Sequence, residues 1–116
     1  MNHHDATGGL RRLTPKDLQQ LVAAADAGAP LLIDVREPYE YAAGHLPGAR
    51  HIPLGELAQH LGEIAPDAAP VFICRSGGRS LAACQLALAA GIASPGNLEG
   101  GLRAWAAAID PTLTVA

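Results

Sequence analysis

Aromatic residues are scarce in this chain of 116: one Phe, one Trp and two Tyr make up 3%. Basic residues are also few. Eight Lys and Arg against eleven Asp and Glu leave a net charge of −3 and a pI near 5.9, which speaks against coating a polyanion. Two cysteines, Cys74 and Cys84, are too few for a disulfide scaffold, and no Cys/His cluster has the paired spacing of a structural zinc site. No run approaches the ~18 apolar residues of a membrane span, and the opening MNHHDATGGLRR has no apolar core of a signal peptide. A cytoplasmic protein is expected, with its thiols reduced. His3 and His4, adjacent in a Gly-containing terminus, are read as part of a disordered end.

What remains is apolar and short. Hydrophobic residues are 49% of the chain and charged ones 16%, enough to bury one core in a domain of roughly 100–150 residues and too little for two. The expected division is a flexible segment 1–12, one domain over 13–110 and a tail 111–116. Thr14, Pro15 and Asp17 supply an N-cap, a first-turn proline and an acidic third position, with Leu18, Leu21, Val22 and Ala25 at helical spacing and Gly28 as the stop. A helix over 15–27 follows. LLIDV at 31–35 and VFI at 71–73 read as strands buried on both faces, as parallel strands are. Between them lie a short helical stretch at 39–43, a strand at 49–52 and a helix at 54–64. After Cys74 come a helix over 79–90 closed by Gly91, a strand at Asn97–Leu98 and a helix at 102–108. The alternation predicts an α/β fold with a mostly parallel sheet and helices on both faces, whose ligands sit beyond the carboxyl ends of the strands.

That rule points to CRSGGRS, residues 74–80. A cysteine at a strand's end beneath a helix N-terminus meets unsatisfied N–H groups and the positive end of the helix dipole, which favour thiolate over thiol. Gly77 and Gly78 let the backbone curl so that successive N–H groups form an anion-binding nest. Arg75 and Arg79 add fixed positive charge of a shape that suits an oxyanion. An inert filler at Cys74 would not need this surround. Cys84, on the stripe Leu81, Cys84, Leu88, is read as an inward-facing packing residue.

Three segments, IDVREPYEYAAGHLPGARHIP at 33–53, CRSGGRS at 74–80 and NLEGGLRAW at 97–105, resemble in order and spacing those of the single-domain rhodaneses, a sulfurtransferase family. The resemblance implies a rhodanese-like α/β fold with a five-stranded sheet. It implies that Cys74 takes sulfane sulfur from a small anionic donor such as thiosulfate, becomes a persulfide, and passes the sulfur to cyanide or a thiol. Arg75, Ser76, Gly77, Gly78, Arg79 and Ser80 would bind the substrate through backbone N–H groups and one guanidinium, with Arg79, at the helix start, the favoured one. Cys74 to Arg79 is six residues, like the sulfurtransferases, whereas related phosphatases and arsenate reductases have one more.

Asp34 and Arg36 match the family's DVR segment, and Glu40 and His45 its E-x4-GH segment. All four are read as supporting residues, since persulfide transfer asks no proton transfer of His45. His51 and His60 carry no signal. Trp105 packs the last helix, and Gly100–Gly101 permit a close backbone approach. No metal, nucleotide, flavin or other cofactor is indicated, and no nucleic acid or membrane partner. The competing functions are a sulfur carrier that takes its load from a protein donor, and, more remotely, a phosphatase or arsenate reductase on the same fold.

Overall fold

The computed structural model describes residues 9–24 and 30–116. Five strands, β1 (Arg11–Leu13), β2 (Leu32–Asp34), β3 (Arg50–His51), β4 (Val71–Ile73) and β5 (Gly96–Leu98), form one sheet in the order β1-β5-β4-β2-β3. All four pairings are parallel. The helices are α1 (Pro15–Ala23), α2 (Pro38–Ala43), α3 (Leu54–His60, extended by a 3-10 turn over Leu61–Glu63), α4 (Gly78–Ala89) and α5 (Gly101–Ala108). The expected α/β architecture is therefore present.

The central strands explain the two-sided core. In β4, Val71 and Ile73 join Leu18 of α1 and Leu102 and Trp105 of α5 in one apolar cluster, while Phe72 joins Leu57 of α3 and Ala83, Cys84 and Ala87 of α4 in the other. Leu32 and Ile33 divide in the same way. A strand covered on both faces needs apolar residues at every position, which is why LLIDV and VFI show no alternation.

Four local expectations change. Arg11 and Arg12, assigned to a flexible segment, belong to β1, which pairs in register with β5. The Arg11 side chain holds it there, donating from Nε to the Ser94 carbonyl (2.7 Å) and from Nη2 to the Ala69 carbonyl (2.9 Å). A Cβ on Gly96 would stand 3.1 Å from that Nη2, so the glycine leaves room for the guanidinium. In α1 the Thr14–Asp17 capping box forms as expected, but only Leu18 is buried, while Leu21 and Val22 are exposed. This helix covers the sheet edge beside α5, and one turn is all that reaches the core. In α4 the inward stripe is Ser80, Ala83, Cys84 and Ala87, and Leu88 faces water. The tail beyond residue 110 is packed, with Leu113 and Val115 against the second cluster and the Thr114 carbonyl 2.3 Å from where a Gly44 Cβ would stand. The helix expected over 15–27 is present as Pro15–Ala23 with its C-cap at Ala24, while His3, His4, Ala25 and Gly28 lie outside the described residues. Among the described residues no helix is long and apolar enough to cross a membrane.

Candidate active site

Cys74 follows β4 directly, and four residues later α4 begins. Gly77 makes the turn between them at φ 103°, in the left-handed region where a side chain is strained. That turn brings the Gly77 N–H to 3.1 Å and the Ser80 N–H to 3.3 Å from Cys74 Sγ, with Ser80 Oγ at 3.2 Å. The first turn of α4 thus spends its unsatisfied donors on the sulfur.

Cys74 itself is 1% exposed, beneath a rim formed by the exposed Arg75, Ser76 and Gly78. Burial by itself would push its thiol pKa up. The hydrogen bonds of the Ser80 hydroxyl and of the Ser80, Gly77 and Ser76 amides outweigh burial, and the pKa falls below the ordinary thiol value. Cys84, just over one turn beyond Ser80 on the buried face of α4, has no such donors among the described residues, and burial drives it up to about 12.

The last helix clamps the loop from below. Leu102 N–H donates to the Cys74 carbonyl (2.9 Å) and Arg103 N–H to the Arg75 carbonyl (3.0 Å), so the N-terminus of α5 takes up two loop carbonyls. Gly101 makes this possible. A Cβ there would lie 2.4 to 2.5 Å from the Arg75 carbonyl group and the Cys74 carbonyl oxygen, at a backbone φ of 62°. The expected close approach at Gly100–Gly101 is thus a contact with the cysteine loop, and Trp105 anchors the same helix in the core.

The two loop arginines part company. Arg79, the guanidinium favoured for the substrate, is engaged by Glu40 of α2, with Nη1–Oε1 at 2.6 Å and Nη2–Oε2 at 2.9 Å. Glu40 is nearly buried and also accepts from the Glu37 N–H, at 2.9 Å. Arg79 is the main cause that lowers the Glu40 carboxyl to about 2, against the opposing effect of burial. The reciprocal bond raises Arg79. Arg75 is exposed and forms no ion pair among the described residues.

The remaining supporting residues build the wall beneath α2. Asp34 and Arg36 are both fully buried, joined through Nε (3.0 Å) and Nη2 (2.8 Å), and Nη2 also donates to the Gly44 carbonyl at 2.7 Å. This pair ties the end of β2 to the end of α2. His45 donates from Nδ1 to the Tyr41 carbonyl (2.8 Å) and stacks on the Tyr41 ring with centroids 3.7 Å apart. His51, which carried no sequence signal, stacks on the other side of Tyr41 (4.5 Å) and donates from Nε2 to the Arg36 carbonyl (2.7 Å). These groups position α2 and with it Glu40.

One neighbour of the cysteine was not singled out by sequence. Asn97 of β5 is 2% exposed and accepts a hydrogen bond at Oδ1 from the Ser80 hydroxyl, while its Nδ2 donates to Glu99 Oε2 (2.9 Å) and to the Gly77 carbonyl (3.3 Å). Its only sequence signal was its place at the head of NLEGG.

Residues 14–108 match the family described as Rhodanese-like domain. The chain belongs to this family. It is 40% identical over 82 residues to a protein of Allochromatium vinosum named sulfurtransferase, a match that spans 71% of this chain and 77% of that one. Among solved structures it is similar to a rhodanese-like domain protein from Staphylococcus aureus, with a TM-score of 0.77, 27% identity and coverage of 90% of this chain and 97% of that one. It is also similar to the human single-domain sulfurtransferase TSTD1, with a TM-score of 0.71, 31% identity and coverage of 84% and 96%. The rhodanese-like domain thus has relatives named as sulfurtransferases, and the cysteine loop lies within the matched span.

Proposed function

We propose that the protein is a sulfurtransferase that carries sulfane sulfur as a persulfide on Cys74. The observation that supports it is the cysteine's surround: a nearly buried sulfur whose pKa is held down by a hydroxyl and three amide N–H groups at a helix start. A thiolate so held is a nucleophile whose charge is spread over fixed donors.

With thiosulfate, Cys74 Sγ attacks the outer, divalent sulfur. The Sγ–S bond forms as the S–S bond to the sulfonate breaks, and the electron pair leaves with sulfite. The negative charge then rests on the outer sulfur of the persulfide. Cyanide or a thiolate attacks that sulfur in turn, expels Cys74 as thiolate, and leaves as thiocyanate or as a new persulfide. No redox partner and no metal enters the balance. The sulfonate oxygens would be met by the rim of the loop, where Arg75 is the exposed cation, while Arg79 is oriented by Glu40.

An intact-mass measurement tests this. After incubation with thiosulfate the protein should gain the mass of one sulfur, about 32 Da, and lose it to cyanide with release of thiocyanate, while Cys74→Ser gains nothing. Sulfur retained by Cys74→Ser would move the nucleophile elsewhere. A second reading, that of a carrier loaded by a protein donor, is favoured by the exposure of the rim and of Tyr39, 71% exposed at the start of α2. It would appear as slow uptake from thiosulfate and fast uptake from a protein persulfide.

A further inference from the structure

We propose that Asn97, backed by Glu99, sets the ionisation of Cys74 by competing with it for the one hydroxyl proton of Ser80. The proposal deepens the reading above and rests on Cys74 as its nucleophile. The two partners of Asn97 Nδ2, the Glu99 carboxylate and the Gly77 carbonyl, are both acceptors, so that end of the amide must carry the N–H groups. Oδ1 therefore faces Ser80 and has no proton of its own. The Ser80 hydroxyl donates to it and turns a lone pair toward Cys74 Sγ, 3.2 Å away.

That arrangement is complete when Cys74 is a thiol, because S–H donates to Ser80 Oγ. It is incomplete when Cys74 is a thiolate. The sulfur then asks for the Ser80 proton, and giving it leaves the Asn97 and Ser80 oxygens facing each other with no proton between them, in a spot where both residues are buried. The negative charge of Glu99 polarises the amide and strengthens the hold of Oδ1. Asn97 thus works against the amide N–H groups of the loop, and the ionisation of Cys74 is the balance between them.

The balance tips once sulfur is loaded. Charge then sits one atom further out, Sγ is a neutral divalent sulfur, and the Ser80 proton returns to Asn97 at no cost. Asn97 therefore favours the loaded form over the bare thiolate. It is a positioning residue, acting only through Ser80. The other charged or titratable groups around the thiol are Arg75 in the loop, Arg79 with Glu40 across from α2, Cys84 on α4, the Asp34–Arg36 pair after β2, Arg103 of α5 and Arg11 of β1. Substitution of Asn97 leaves each of them in place.

The test is the rate of alkylation of Cys74 by iodoacetamide as a function of pH, read on the full chain by mass. Asn97→Ala should move the midpoint down by roughly one pH unit, the net worth of one hydrogen bond. Ser80→Ala should move it up, and adding Asn97→Ala to Ser80→Ala should change nothing further. An unshifted or raised midpoint in Asn97→Ala, or an equal shift with and without Ser80, overturns the proposal. Should Asn97→Ala fail to fold, Glu99→Gln is read in the same two backgrounds. A larger downward shift with Ser80 present supports the relay, and equal shifts overturn it, because a direct charge effect does not pass through Ser80. Alkylation needs no sulfur donor. Failure to take up sulfur overturns the proposed function alone, and unshifted midpoints overturn the relay alone.

Discussion

Two cysteines of one chain lie within the same buried layer, and their surroundings push their pKa values in opposite directions. Both lose water, and burial is the leading influence on each; what separates them is donors. Cys74 collects a hydroxyl and the amides of an uncapped helix start, whereas Cys84, further along the same helix, finds every nearby N–H already committed to the helix ladder. At neutral pH, iodoacetamide should therefore add once, at Cys74, and leave Cys84 unmodified until the protein is denatured. Peptide mass mapping reads this, and a second adduct on the folded protein would show that Cys84 is neither sealed nor raised to about 12. The surround of Cys74 was legible in the sequence because its parts are local: a strand end, two glycines and a helix start within seven residues. The partner of Arg79 was not. Glu40 is 39 positions away, and only the packing of α2 against the loop decides that Arg79 serves a carboxylate within the protein.

At the scale of elements, the same distinction separates what sequence pattern disclosed from what it hid. β2 and β4 declare themselves because a strand with two covered faces is apolar throughout. β1 does not, because RRL is an edge strand that owes its place to a guanidinium bonded to two carbonyls. In α1, Leu21 and Val22 keep helical spacing with Leu18 yet stay exposed, since periodicity reports which side could be buried and not how much partner surface exists. The junction of α5 with the loop is the element contact on which the site depends most. Gly101→Ala would press a Cβ into the Arg75 and Cys74 carbonyls at an already left-handed φ, and both hydrogen bonds from Leu102 and Arg103 would have to lengthen. The expected cost is about 2–4 kcal/mol of stability, combining the left-handed strain with the steric clash. The loop carbonyls would lose their donors, so alkylation of Cys74 should slow as well. Urea unfolding and alkylation rate check the two together. A stable Gly101→Ala protein with unchanged Cys74 reactivity would show that α5 does not position the loop.

At the scale of the whole molecule, the buried Glu40 carboxylate of α2 reaches across to Arg79 of α4 beside the carboxyl end of β4. Glu40 links α2 to α4 through Arg79 and to its own helix start through Glu37, so the charge state of this side chain bears on the fold and the site at once. Its pKa is lowered from 4.5 to about 2, with the Arg79 hydrogen bond the leading cause. A carboxyl that releases its proton more readily when folded stabilises the fold above its unfolded pKa, and the contribution disappears as pH falls through the folded one. The window is therefore from 4.5 down to about 2. Arg79 keeps about a third of its side chain in water, which screens the pair, so the contribution at neutral pH is about 2 kcal/mol. Glu40→Gln should lower stability in urea by about that amount at neutral pH, and should flatten the fall in stability across the acid window that the unaltered protein shows. It should also free Arg79 beside the thiolate, raising the net positive charge at the loop and moving Cys74 alkylation toward lower pH. A flattened acid profile with an unmoved Cys74 midpoint would mean that Arg79, once released, swings out to solvent, and that the Ser80 hydroxyl and the loop amides set the ionisation of the sulfur without it.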